Sequence, residues 1–329
     1  MPVHEAHTII LRHPECSNVV KPYMGGSELN KSPSLKSDRW IIDFGDLSMQ
    51  DAMKYEEPFA LAAERVRPFV NRKNWWQFEH RAKDILLQIR DLALPRVLVV
   101  AETSDTFAPV IVDSSNCFSN KVVIFTTDDH AALGILQSRF HEYWCRTVSC
   151  TLKDDLTYVP SVCYDTFPVP FAWSQDEHLR LLAREFDKKR LSCLNSMGIG
   201  LTSLYNKIHD PRCEDNQIAE LRIALDEIDY CLTSLYGFDG LDLKIGFYEL
   251  SSDDMSEREA DDDENLCENW RYGWSEGSID EAISMLMHIN ERMGAPAGKA
   301  KAKHLSAFQQ SKELRTSRTA ASSQLSFNT

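Results

Sequence analysis

The hydrophobic periodicity of the chain changes at one point, and this change constrains the fold more than any other feature. Three short β-branched runs are separated by polar turns: 96–101, 109–113 and 121–125. They predict a small antiparallel sheet. Beyond Phe167-Pro168-Val169-Pro170 the pattern becomes helical, with long amphipathic segments over 174–196 and 217–236. Two prolines so close together block both helix and ladder, so the fold class is α+β with a boundary near residue 170.

The length of 329 residues suits about two domains. We expect the flanking helices to join the sheet in one domain, followed by a mainly α-helical C-terminal domain. The predicted segments are a lead-in over 1–18, a sheet-containing domain over 19–170, a helical domain over 171–293 with a disordered acidic insertion at about 249–268, and a disordered tail over 294–329.

The charge of the chain is uneven. A net charge of −14 excludes a uniformly basic nucleic-acid binder. Residues 59–96 nevertheless hold eight Lys and Arg against four acids, interleaved with the tandem Trp75 and Trp76. Residues 249–269 hold ten acids against Arg258. The sequence therefore predicts a local basic surface, and it leaves open a solvated acidic loop or a segment that imitates DNA.

Cysteine usage and the absence of long apolar runs indicate a cytoplasmic protein without a membrane partner. The nine cysteines form no C-x-x-C pair, and no secretory signal is evident. His141, Cys145 and Cys150 could supply three ligands to zinc, but a tetrahedral site needs a fourth. The alternative is that they are buried side chains, and we expect no metal.

The sequence lacks a recognisable catalytic constellation. Gly198-Ile199-Gly200 follows no strand, so it predicts a helix break rather than a cofactor loop. His141-Glu142 begins like a metalloprotease helix, but Cys145 stands where a second histidine is needed. We therefore expect no catalytic residue.

Local signals predict further elements. Residues 21–26 indicate a turn and residues 39–44 a strand. Other predictions are a helix begun by Ser48, a single helix over 131–147, another strand over 157–164, and a final helix over 278–293 with Ser278 as its N-cap.

The order of several short motifs resembles the target-recognition region of MmeI-like DNA methyltransferases, a bacterial adenine-specific family. The motifs occur in this order: Lys21-Pro22-Tyr23-Met24-Gly25-Gly26, Arg39-Trp40-Ile41-Ile42-Asp43-Phe44, Ala52 with Tyr55, Val66-Arg67-Pro68, Trp75-Trp76, Ser138 with His141 and Trp144, Thr157-Tyr158, and Asp165-Thr166-Phe167-Pro168-Val169-Pro170. Leu235-Tyr236-Gly237-Phe238 and the segment 283–293 resemble the helical C-terminal region of the family. The resemblance covers about residues 19–293.

The resemblance implies a sequence-specific DNA recognition module within a restriction-modification or phage-defence system. Family enzymes also carry an S-adenosylmethionine fold with an (Asp/Asn)-Pro-Pro-(Tyr/Phe) motif, which this sequence lacks. We therefore expect this chain not to be active alone and to bind no cofactor. The implied partners are double-stranded DNA and a catalytic chain that holds S-adenosylmethionine. The alternatives are a solitary DNA-binding remnant and an acidic, DNA-mimicking interaction protein.

Candidate DNA contacts follow from residue type and from the resemblance. Phosphate candidates are Arg65, Arg67, Arg72, Lys73, Arg81, Lys153 and Tyr158. The base-readout candidates are Arg96, Glu102, Ser104, Asp105, Thr106, Ser114–Asn116 (Ser114 and Asn116 foremost), Arg139 and His141. The supporting aromatics are Trp75, Trp76 and Trp144. The alternative interpretation is that these side chains belong to the core.

Overall fold

A computed structural model describes residues 1–71, 73–78, 83–104, 106–149, 151–152, 155–249 and 270–293, apart from the side chains of residues 151, 152 and 155. The elements up to residue 91 are α1 (Val3–Arg12), a 3-10 turn (Pro14–Asn18), β1 (Val20–Met24), α2 (Gly26–Lys31), β2 (Trp40–Ile42), α3 (Met49–Ala52), α4 (Glu56–Arg65), a 3-10 turn (Arg67–Phe69) and α5 (Lys83–Asp91).

The next stretch contains most of the strands. Its elements are β3 (Arg96–Ala101), β4 (Thr103–Ser104), β5 (Val110–Asp113), β6 (Cys117–Phe118), β7 (Val122–Phe125), α6 (His130–Gln137), α7 (Arg139–Val148), β8 (Thr151–Leu152), β9 (Asp155–Thr157) and α8 (Pro160–Cys163). The remaining described elements are a 3-10 turn (Trp173–Gln175), α9 (Glu177–Met197), α10 (Leu201–His209), α11 (Asn216–Tyr236), β10 (Gly246–Glu249), β11 (Trp270–Gly273) and α12 (Glu276–Met293).

The central sheet has the predicted antiparallel arrangement. Its strand order is β5-β3-β7, and Leu98 of β3 lies opposite Ile111 on one side and Phe125 on the other. Residues 97–101 are all buried, as expected for a strand covered on both faces. Two further three-stranded sheets, β2-β1-β6 and β4-β9-β8, flank it. The α+β fold class is therefore confirmed, with helices α9 to α12 following the sheets.

The apolar core consists of two clusters. The larger one continues from the central sheet through α6 into the helices of the C-terminal half. Gly134 lies where α6 crosses α9, and a Cβ there would be 2.8 Å from Leu179 Cδ1 and 3.2 Å from Ala183 Cβ. A Cβ at this position would force the Leu179 side chain to shift, so glycine favours the close approach of the two helices. The sheet region and the helical region share one packed core. The predicted domain limits stay a prediction.

The smaller cluster lies under α1, α3 and α4. It includes Ala6 and Ile9 of α1, which are almost fully buried beside Phe44 and Trp75. Residues 1–18, which we expected to precede the folded part, therefore contribute to its packing. The amphipathic spacing of Ala6 and Ile9 was the available signal.

Several local predictions are wrong because long-range contacts override local signals. Residues 20–24 form β1, not a turn, since β2 and β6 pair with either side of it. Ser138 adopts an extended conformation and caps α7, so the helix expected over 131–147 is two helices. Pro160 begins α8, which replaces the strand expected over 157–164.

The ends of the later helices also refine the predictions. Gly198, at φ +64°, ends α9, and Gly200 precedes α10, which confirms the predicted helix break. The final helix begins at Glu276 rather than after Ser278. The Ser275 hydroxyl accepts a hydrogen bond from Ser278 N. The acidic insertion from residue 250 and the tail lie outside the described residues. Among the described helices, none is long and apolar enough to cross a membrane.

Candidate nucleic-acid interface

An exposed basic edge, defined here as Arg65, Arg67, Phe69 and Lys73, follows the end of α4. The 3-10 turn Arg67–Phe69 holds Phe69 at 85% exposure, and Arg67 and Lys73 are also exposed. Arg65 differs because its guanidinium forms an ion pair with Glu5 at 2.7 Å and lowers the pKa of that carboxyl. The edge therefore offers two exposed cations and one aromatic ring to an anionic ligand.

The tandem tryptophans support this edge from below. The Trp75 ring is buried against Phe59 at 5.4 Å, and the Arg67 guanidinium lies 5.7 Å from its centroid. Trp76 Nε1 donates to the carbonyl of Leu47 at 3.0 Å. Both tryptophans are packing residues, which agrees with their alternative interpretation as core. By fixing the turn, they limit the freedom of Arg67.

Four predicted contact residues fall outside the described residues, so their positions stay untested: Arg72, Arg81, Asp105 and Lys153. Tyr158 is described, and it is almost fully buried next to Phe107. We therefore correct its assignment as a phosphate contact, since its hydroxyl lies 3.0 Å from His141 Nε2 in the interior.

The base-readout candidates near β3 and β4 differ in how far they are already engaged. Arg96 is exposed and has no side-chain hydrogen bond to another described residue. Glu102 is half-buried and accepts from Lys121 Nζ at 2.8 Å. Ser104 accepts from Asn30 Nδ2 at 3.0 Å and from the Thr106 backbone. These three residues stay predictions, with Arg96 the least constrained.

Other candidates on the following strands serve the turns. The Ser114 hydroxyl donates to the carbonyl of Leu94 at 2.6 Å, and Asn116 Nδ2 donates to the carbonyl of Asp113 at 2.7 Å. Asn116 and Thr106 are buried. Satisfying turn carbonyls is a common use of Ser and Asn, so Ser114 and Asn116 both support the turns in this arrangement, and burial limits access to Asn116 and Thr106. Ser115 is exposed, and its backbone N–H donates to Asp113 Oδ1.

Arg139 and His141 were predicted as base contacts, and the structure corrects both. His141 is fully buried, and burial lowers its pKa to about 3, so the ring is neutral. Arg139 is enclosed between α7 and α11, where Nη1 donates to Asp226 at 2.9 Å and to Asp229 at 2.7 Å. Neither side chain has a surface that a duplex can reach.

Arg139 belongs to an enclosed polar network that joins α7, α11 and β11. Asp229 also accepts from the Arg139 backbone and from Trp274 Nε1, each at 3.0 Å. Burial raises the pKa of Asp229 to about 6, although the Arg139 charge opposes this rise. Tyr272 donates to Asp226 at 2.6 Å. This network has the character of a structural clasp, because most of its donors and acceptors pair with one another. The buried Arg139 Nη2 is the exception, since it has no hydrogen-bond partner among the described residues.

Trp144 lies on the same helix and is likewise a core residue. It is buried, and its Nε1 donates to Thr166 Oγ1 at 3.1 Å. Cys145 Sγ lies 3.5 Å from His141 Nε2. In the described part of the chain, no group of three His, Cys, Asp or Glu is arranged to hold a metal ion.

The glycines at the helix break were the nearest sequence match to a cofactor loop. A Cβ at Gly200 would lie 2.5 Å from the Asn30 carbonyl oxygen and the Lys31 backbone. Backbone atoms of this chain fill the space that a Gly-rich loop leaves for a phosphate.

Sequence reasoning missed two features. Phe69 was not among the predicted contact residues, although Pro68, which turns the chain there, was an available signal. A cleft between β3 and α9 brings Arg96 together with Arg184. Nothing in the sequence distinguishes Arg184 from other exposed arginines of an amphipathic helix.

The comparison with protein families identifies the chain. The MmeI target recognition domain matches residues 1–171, which is more than half of the sequence. The match includes α1, the tandem tryptophans, the central sheet and the Pro168–Pro170 segment. The chain belongs to the MmeI target recognition domain family.

Two relatives illustrate the extent of the likeness. DNA methyltransferase A of Bacillus subtilis (strain 168) is 27% identical over 129 residues, which make up 38% of this chain and 13% of that protein. The solved structure of the Type IIL restriction-modification enzyme MmeI in complex with DNA superposes with a TM-score of 0.54 at 16% identity. That match covers 90% of this chain and 34% of the other, so it shows a shared fold. The chain spans 13% of the length of the methyltransferase and 34% of that of the MmeI structure.

Proposed function

We propose that this chain is the sequence-reading part of an adenine-specific DNA methyltransferase in a restriction-modification or phage-defence system. The observation that carries the proposal is the match of residues 1–171 to a target recognition domain. The likeness to an enzyme solved with DNA supports it across both the sheet region and the helices.

The basic edge supplies the chemistry for duplex binding. Arg67 and Lys73 are exposed cations that neutralise backbone phosphates, and such contacts provide the sequence-independent part of affinity. Phe69 is placed to pack against sugars or an unstacked base step, as exposed apolar side chains do in several DNA binders. The tryptophans below keep the turn in place.

Base readout falls to the polar groups around β3 and β4. Arg96 suits guanine O6 and N7, whereas Glu102 suits the amino group of cytosine. Glu102 would exchange its Lys121 contact for a base, which leaves Lys121 available for a nearby phosphate. The target sequence depends on which of these groups reaches the groove.

Methyl transfer belongs to a separate catalytic chain in this proposal. That chain holds S-adenosylmethionine, the methyl donor, and removes the target adenine from the stack. This chain binds the duplex, sets its register and determines which adenine is presented.

The test has two arms, both with the full chain. In the first, binding to a fluorescent duplex is titrated from 50 to 200 mM salt. A steep linear fall of log K against log salt is expected, whereas salt-independent binding or none contradicts the proposal. In the second, the chain is co-expressed with a chain from the same source DNA that carries the (Asp/Asn)-Pro-Pro-(Tyr/Phe) motif. Site-specific adenine methylation that requires both chains supports the proposal. Methylation by the catalytic chain alone, or inhibition of it by this chain, contradicts it, and inhibition favours a DNA mimic.

A further inference from the structure

A cleft of about 560 Å³ lies between the start of β3 and one face of α9, apart from the basic edge. Its lining combines Arg96, the loop residues Asp128 and Asp129, and cations of α9 that include Arg184 and Lys188. The cleft therefore spans the junction between the sheet region and the helical region.

Most charges in the cleft are already paired. Arg180 donates to Asp129 at 2.9 Å and forms an ion pair with Glu177. Asp187 accepts from Arg190, which lies behind the cleft, at 2.6 Å. These ion pairs stabilise the loop and the helix that line the cleft, and their opposite charges largely cancel.

Two arginines stay available after this pairing. Arg96 and Arg184 are exposed and form no hydrogen bond or ion pair with another described residue. Both act on His130, which also lines the cleft: burial lowers the pKa of this ring, the Asp187 carboxylate opposes the shift, and the charges of Arg184 and Arg96 add to it. The two guanidinium groups therefore come from different elements, β3 and α9, and line the same cleft.

Lys188 and Asp128 modify this point in opposite directions. Lys188 adds a third cation, although it is partly occupied by Glu185 at 2.6 Å. Asp128 is the carboxylate of the described lining without a cation within ion-pair distance. Its charge opposes an anion in the cleft, which provides a substitution of opposite sign for a test.

We propose that this cleft binds a phosphate group, held by Arg96 and Arg184, and that the group belongs to the backbone of the bound duplex. Guanidinium groups suit phosphate because their N–H donors match its oxygens in pairs. A phosphate held here contacts β3 and α9 together, so it fixes the helical region against the duplex. This inference rests on the proposed function, and it changes the predicted role of Arg96 from base reader to phosphate contact.

The test compares salt dependence across single variants of the full chain. Loss of one phosphate contact lowers the salt slope by about 1 and weakens binding about eightfold at 0.1 M salt. We expect this of Arg184→Ala and of Arg96→Ala, equally for all duplex sequences. Asp128→Asn is expected to tighten binding. Arg292→Ala is the matched control, since Arg292 is an exposed arginine near the end of α12, and it leaves affinity and slope unchanged.

The outcomes separate this inference from the proposed function. If Arg67→Ala weakens duplex binding but Arg184→Ala behaves like Arg292→Ala, the phosphate site in the cleft is overturned and the proposed DNA-binding function stands. If the unsubstituted chain binds no duplex, the proposed function fails first. If Arg96→Ala lowers affinity for some duplex sequences and not for others, Arg96 is a base-readout residue and the phosphate site in the cleft is overturned.

Titration with inorganic phosphate, followed by calorimetry, distinguishes the source of the phosphate group. Competition between inorganic phosphate and the duplex, lost in Arg184→Ala, supports a backbone phosphate in the cleft. Phosphate binding that depends on Arg184 but leaves duplex affinity unchanged overturns the assignment to DNA. Melting temperatures within about 2 °C of the parent are expected for these surface variants, so folding does not confuse the result.

Discussion

The enclosed network around Arg139 and the basic edge around Arg67 use the same residue types for opposite purposes. Each combines arginine with aromatic rings: Arg139 lies 5.0 Å from the Tyr272 ring and Arg67 lies 5.7 Å from the Trp75 ring. Arg139 is buried with two carboxylates, whereas Arg67 is exposed. The partners of an arginine, which come from distant parts of the chain, therefore decide whether it stabilises the fold or is available to a ligand.

The first prediction concerns the enclosed network around Arg139, where a substitution should lower stability most. Asp229→Ala leaves the Arg139 guanidinium buried with one remaining carboxylate and removes the acceptor of Trp274 Nε1. We expect a loss of about 3–5 kcal/mol in the free energy of unfolding, measured by urea denaturation. Glu227→Ala, on an exposed face of the same helix, is the control and should stay within about 0.5 kcal/mol. A loss below about 1 kcal/mol for Asp229→Ala would refute the clasp.

The second prediction is that the buried His141 makes the stability of the fold depend on pH, whereas an exposed histidine does not. His141 has a folded-state pKa lowered to about 3, below its unfolded value near 6.5. The unfolded chain therefore binds one more proton between these limits, so stability falls as pH falls below 6.5. The contribution of His141 to this loss is about 2 kcal/mol by pH 5.

The measurement is the urea midpoint from pH 7 to pH 5. His141→Gln, which keeps a polar group near Tyr158, is expected to flatten the pH dependence by that amount. The exposed His178→Gln is the matched control and should follow the parent curve. Parallel curves for the parent and His141→Gln would show that the ring is not held neutral in the interior.

The third prediction concerns the basic edge. Arg67→Ala and Lys73→Ala each remove one phosphate contact, so duplex affinity should fall about eightfold at 0.1 M salt and the salt slope by about 1. The free energy of unfolding should change little, in contrast to Asp229→Ala. Fluorescence anisotropy measures the affinity, and exposed Lys36→Ala serves as the control. Equal duplex affinities for Arg67→Ala, Lys73→Ala and Lys36→Ala would show that the basic edge does not contact the duplex.

The smallest expected effect comes from Phe69. Phe69→Ala removes an apolar contact with the duplex at a cost of about 1 kcal/mol, or roughly fivefold in affinity. Because no charge is lost, the salt slope should stay the same, which separates this variant from Arg67→Ala. Phe171→Ala is the control, since Phe171 is also fully exposed but lies outside the edge. An equal loss for both variants would indicate a nonspecific apolar effect.

The elements that local sequence predicted best are those whose signal is periodic. The sheet formed by β3, β5 and β7 and the long helices α9 and α11 were all expected from spacing alone. β1 was mistaken for a turn because Pro22 and the following glycines dominate the local signal. Its pairing with β6, almost a hundred residues away, is not encoded locally.

The site was less predictable than the fold for the same reason. Arg139 and His141 lie on an amphipathic helix, and the sequence cannot show that Asp229 and Tyr158 enclose them. Arg96 of β3 and Arg184 of α9 line one cleft although they are far apart in the sequence. Burial and convergence are tertiary properties, whereas the sequence reports residue type and spacing.

The most direct test of the account is selection of bound duplexes from a random-sequence pool by the full chain, followed by sequencing. We expect one enriched sequence from the unsubstituted chain. Arg67→Ala should enrich the same sequence with lower yield, and Glu102→Ala should lose discrimination at one position of it. Enrichment of no sequence, or of the same sequence by every variant with unchanged yield, would contradict the claim that this chain reads DNA through the groups assigned here.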